Sequence, residues 1–181
     1  ILNNWQNYQI EKPDPNGEVI NLDASSLSPQ IAAPHSPANS ADVDDFKNIR
    51  FDIAYIGACT GAKYTDLMAA ASILKNKKVS PNVCLKVAPA SLRDQQRAER
   101  EGIMRILEDA GAEFLPNSCG ICAGYGSDRL LEDQVCLSST ARNFKGRMGD
   151  PSSKVYLASP YTVAASAIAG TMVDPHDMME S

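Results

Sequence analysis

No apolar run in this chain approaches the ~20 residues that a membrane-spanning helix needs, so neither a transmembrane helix nor a signal peptide is expected. Cationic charge is scarce as well. Seventeen Lys and Arg stand against 22 Asp and Glu, for a net charge of −5 and a pI near 5.0. That balance argues against nucleic-acid binding, which rests largely on neutralising phosphates, and the basic loop at 142–147 is too small to reverse it. The chain also lacks a disulfide framework: five cysteines is an odd count with no secreted spacing pattern, so a reducing, cytoplasmic setting is expected. What remains is ordinary for a globular protein: 181 residues, 44% hydrophobic and 22% charged, enough for one domain with a proper core.

Residues 1–50 read as an irregular N-terminal arm with short strands. Pro13, Pro15, Pro29, Pro34 and Pro37 punctuate it, Asn16-Gly17 between Tyr8-Gln9-Ile10 and Val19-Ile20 signals a hairpin, and Asp42–Phe46 reads as a half-helix. From Phe51 strand and helix signals alternate. Phe51–Ile56, Val83–Val87, Glu113–Leu115, Gln134–Leu137 and Lys154–Ala158 are the predicted strands. Predicted helices run over Tyr64–Lys75, from a Ser91 cap to about Ala110 with Gly111 as the stop, and from a Ser159 cap to Gly170. This pattern predicts a three-layer α/β/α domain with a mostly parallel sheet over 51–175, followed by a polar tail at 176–181. In such sheets ligands sit beyond the carboxyl ends of the strands, and Cys59 and Cys119 each follow a predicted strand.

Cys59 alone reads most simply as a small buried hydrophobe, and Cys84 and Cys136 as packing residues inside strands. The pair Cys119-Gly120-Ile121-Cys122 has wider options: a thioredoxin-type redox pair or half a zinc site. There is no second CxxC, and His35, in a proline-bracketed turn, lacks zinc-finger spacing; His176 lies in the polar tail. Cys59 with Cys119 and Cys122 offers three thiolates where a structural metal site wants four ligands, which leaves one corner of an iron–sulfur cube open. An open iron can act as a Lewis acid on a substrate oxygen. Arg142 and Arg147, otherwise a solvated basic loop, could hold carboxylates by forked hydrogen bonds.

Four ordered segments, Gly57-Ala58-Cys59-Thr60, Pro116–Gly124, Ser138–Gly149 and Ala158–Gly170, resemble the aconitase superfamily, in particular its branch of 3-isopropylmalate dehydratase and homoaconitase large subunits. The resemblance runs from about Ala33 to Pro175 and matches the last of the family's three cluster-side domains, so the chain is expected to begin within a longer protein. The resemblance implies a [4Fe-4S] cluster on Cys59, Cys119 and Cys122, expected to be lost in an aerobic preparation. It also implies a small carboxylate substrate bound by Arg142 and Arg147, and a reaction that isomerises a 2-hydroxy di- or tricarboxylate by dehydration and rehydration. A small-subunit or swivelling domain would supply the catalytic base, a serine, and preceding domains of the same enzyme His and Asp groups, so the chain alone is expected to be inactive. Two positions depart from the family pattern: Gly61 and Ala141 stand where Asn is usual. They support a second reading, a non-enzymatic cluster-binding scaffold.

Overall fold

Short apolar runs, buried on both sides in the central strands, and apolar helices produce one sheet with two differently covered faces. In the computed structural model, which describes residues 16–21 and 23–179, the strands are β1 (Gln30–Ala32), β2 (Ser40–Asp42), β3 (Ile53–Gly57), β4 (Cys84–Ala88), β5 (Glu113–Phe114), β6 (Val135–Ser138) and β7 (Lys154–Leu157). Their spatial order is β2-β1-β7-β6-β3-β4-β5. The five strands β3 to β7 are mutually parallel; β1 joins β7, and β2 joins β1, antiparallel. The arm therefore contributes two strands to the edge of the main sheet and buries Ile31 and Val43 in its core. Asp42 precedes the expected half-helix, a 3-10 turn at Val43–Phe46. Of the expected Asn16-Gly17 hairpin, the Tyr8–Ile10 half lies outside the described residues, and Val19-Ile20 is not a strand.

The helices are α1 (Ala58–Gly61), α2 (Tyr64–Leu74), α3 (Leu92–Arg100), α4 (Ile103–Ala110) and α5 (Pro160–Ala169). Ser91 and Ser159 cap α3 and α5, each accepting a hydrogen bond 3.1 Å from the backbone N–H three residues on. One expectation is corrected here. The single helix predicted from Ser91 to Ala110 is two helices, because Gly102 adopts φ +74 and turns the chain between α3 and α4.

Strand alternation divides the core. Ala54, Ile56, Leu85, Val87 and Leu137 face one side, where they pack under α2, α4 and α5. Ile53, Tyr55, Ala88, Cys136 and Val155 face the other, against Ile121, Leu130 and Met148. The two faces follow from the direction of the connections. The β3-to-β4 and β4-to-β5 crossovers run one way and carry helices, whereas β5-to-β6 and β6-to-β7 run back and, being right-handed, cross the opposite face. Those returning crossovers, 115–134 and 139–153, carry only a short 3-10 turn at Gly120–Ala123. The second outer layer of this α/β fold is thus irregular chain, and it holds both the CxxC and the arginine motif.

Candidate iron–sulfur and carboxylate site

Cys59 lies in α1, two residues past the end of β3, and is exposed. Cys119 and Cys122 come from β5, two strands away, yet the returning crossover carries them back over the sheet toward β3. Asn117 fixes the start of that crossover by donating from Nδ2 to the carbonyl of Pro89, 3.1 Å away at the end of β4. Lys86 holds its far side through an ion pair with Asp128 at 2.5 Å. Cys119 is the residue before the 3-10 turn, which closes through Ala123 N–H to the Cys119 carbonyl at 3.1 Å. Cys119 is exposed and Cys122 half-buried.

Cys122 lies within electrostatic reach of Cys59, Cys119 and Arg147. Burial pushes its thiol up; the Arg147 guanidinium beside it acts in the opposite sense and favours the thiolate. Backbone packing brings this about: a Cβ on Gly124 would lie 3.3 Å from the Arg147 carbonyl oxygen and 3.2 Å from Gly149 N, so the CxxC turn and the arginine turn touch. Arg147 is partly buried and its Nε has no acceptor among the described residues, whereas Arg142 is exposed. Cys84 and Cys136 stand in strands β4 and β6. His35 and His176 are both exposed, and the His176 ring sits 2.7 Å from Asp174.

Three side chains not singled out in the sequence shape this rim. Asn143, fully buried between the two arginines, donates from Nδ2 to the carbonyl of Ala33 at 2.8 Å and so ties the arginine loop to the end of β1. Ser139 receives the Gly57 N–H at 3.2 Å and donates to the Gly61 carbonyl at 2.8 Å, clamping the Cys59 turn from both sides. Tyr55, on β3, is fully buried and its hydroxyl has no partner. Gly61 is now explained locally: a Cβ there would fall 2.1 Å from the Ser139 carbonyl oxygen, so in this packing the position has no room for asparagine.

Among the described residues no three His, Cys, Asp or Glu side chains converge on a single metal ion. Cys59 and Cys119 both lie within electrostatic reach of Cys122, and a cluster, which takes its cysteines at separate irons, would not need them to converge on one point. The donor set fits: three free thiols, one guanidinium that favours thiolate, and Tyr55 Oη and Arg147 Nε, two of the three buried polar atoms (the third is Asn143 Oδ1) left without partners among the described residues.

Residues 41–170 match the family described as Aconitase family (aconitate hydratase). The chain is 44% identical to a 3-isopropylmalate dehydratase large subunit of Picrophilus torridus over 181 residues, covering 98% of this chain and 44% of that protein. Large subunits of the same name from Herpetosiphon aurantiacus and Pyrococcus horikoshii are 39% and 43% identical, over 96% and 86% of this chain and 41% and 40% of theirs. The chain spans about two fifths of the length of these curated relatives.

Proposed function

The chain belongs to the aconitase family, and from that premise we propose that it supplies the cluster-holding and carboxylate-holding part of a hydro-lyase. The reaction is the isomerisation of a 2-hydroxy di- or tricarboxylate by loss and re-addition of water. An isopropylmalate-type substrate is the first choice, because the relatives carry that name; homoaconitase and aconitase substrates come behind it. The observation that supports the reading is that Cys122 lies within electrostatic reach of Cys59, Cys119 and Arg147.

Cys59, Cys119 and Cys122 would hold a [4Fe-4S] cluster by three corners. When bound, that cluster supplies a Lewis-acidic iron that makes a coordinated hydroxyl a better leaving group. Arg147 Nε offers a charged donor with no acceptor among the described residues, suited to one carboxylate, and Arg142 presents a second from the exposed end of the same loop. Asn143 keeps that loop at a fixed distance from the sheet, which orients the two arginines before substrate arrives. The base that takes the proton from the neighbouring carbon is assigned to a small-subunit or swivelling domain, and further His and Asp groups to preceding domains. No described helix is long and apolar enough to cross a membrane, and a reducing, cytoplasmic compartment would keep the three thiols available.

Anaerobic reconstitution with iron and sulfide tests the ligand set. Wild type is expected to develop broad visible absorption, and Ser at Cys59, Cys119 or Cys122 to abolish it. Cys84→Ser and Cys136→Ser are expected to retain iron and lose only stability, because these cysteines belong to strands. Equal loss of iron in all five variants would overturn the assignment.

A further inference from the structure

Tyr55 stands on the irregularly covered face of β3 and is fully buried, yet its hydroxyl meets no hydrogen-bonding partner among the described residues. Buried hydroxyls nearly always find one, and an unexplained orphan points to a missing group. The ring does not simply fill the core. It folds back along the strand over Gly57: a Cβ on Gly57 would lie 2.0 Å from the phenol Cζ and 2.3 Å from its oxygen. The hydroxyl therefore reaches the level of Gly57, two residues before Cys59, at the carboxyl rim of the sheet. There it lines a cavity of about 150 Å³ together with Ser118, Gly120 and Ile121, the residues that flank and separate Cys119 and Cys122. Cys122 and Cys119, together with the buried Cys136 of β6, are close enough to the phenol to interact with it electrostatically.

We propose that the Tyr55 hydroxyl donates a hydrogen bond to a sulfur of the group held by Cys119 and Cys122, and so acts as a positioning residue that raises that group's reduction potential and slows its loss. The inference rests on the reading of Cys59, Cys119 and Cys122 as cluster ligands. Its physical basis is that a donor to a cluster sulfur withdraws negative charge and favours the reduced state, and that partners around the ligands govern retention. Gly57 is part of the device, since any side chain there would drive the phenol off the rim.

Tyr55→Phe keeps the ring and removes only the oxygen. Without cluster, the variant is expected to melt at the wild-type temperature or above, because an unpartnered hydroxyl can be deleted without loss. After anaerobic reconstitution its potential, measured by spectroscopically monitored redox titration, is expected to lie below that of wild type. Loss of iron to a chelator is expected to run roughly 10-fold or more faster. An unchanged potential together with an unchanged chelation rate overturns the proposal, as does a Tyr55→Phe chain that is destabilised without cluster, since the hydroxyl would then have a partner in the protein. Cys122→Ser is measured alongside. If it fails to hold iron while Tyr55→Phe matches wild type, the tyrosine inference fails and the ligand reading stands. If wild type and Cys122→Ser bind iron alike, the ligand reading fails and the inference falls with it.

Discussion

Gly61 shows how a single residue can be misread without its neighbours. As a departure from the family pattern it suggests a weakened site, but the Ser139 carbonyl fills the space a side chain would need. Gly61→Asn is therefore expected to destabilise the fold by roughly 1–3 kcal/mol through overpacking, seen as a lower denaturation midpoint; an equal or higher midpoint would show that the Ser139 loop yields freely. Arg147 makes a second prediction at this scale. Lysine keeps the charge and removes the planar fork. In the enzyme assembled with its partner domains, at matched iron content, Arg147→Lys is expected to lower kcat/KM by roughly ten- to a hundredfold, the scale of losing one charged hydrogen bond of ~1.5–3 kcal/mol. Near-wild-type kinetics would remove Arg147 from the carboxylate site. The cysteine and arginine positions could be picked out from the sequence because their spacing is chemically unusual. Asn143 and Tyr55 could not: one is a polar residue between two cations, the other an aromatic in an apolar strand, and only the fold reveals a buried amide tied to Ala33 and a hydroxyl without a partner.

Among the elements, the central strands announced themselves as short apolar runs and α5 by its serine cap, N1 proline and terminal glycine. The break between α3 and α4 was hidden because Glu101, Ile103 and Met104 all suit a helix, so Gly102 looks like a tolerated interior glycine. The two readings give opposite signs for one variant. Were the helix continuous, Gly102→Ala would stabilise by about 1 kcal/mol. With φ at +74, alanine is instead forced into the left-handed region and is expected to destabilise by about 1–2 kcal/mol, measured by thermal or urea unfolding. The returning crossovers were equally illegible as a layer. They have neither a helical nor a strand period, and their order comes from contacts such as Asn117 to Pro89 and Lys86 to Asp128, which join residues 28 and 42 apart in sequence.

For the whole molecule, the sheet separates two tasks. The helical face supplies the larger of the two hydrophobic clusters, and the opposite face carries irregular chain whose turns place thiols and cations at the carboxyl rim. Right-handed connection alone dictates that the crossovers returning from β5 and β6 land on that second face, so the parallel topology brings Cys119 and Cys122 back toward Cys59. The central claim is that three protein thiolates hold a four-iron group and leave one iron without a protein ligand. The most direct measurement is iron content, with electron paramagnetic resonance, on the anaerobically reconstituted chain before and after mild controlled oxidation. The account predicts release of about one iron per cluster, with the remainder kept by the three cysteines; a cluster that keeps every iron, or a tetrahedral single-metal site with a fourth protein ligand, would contradict it.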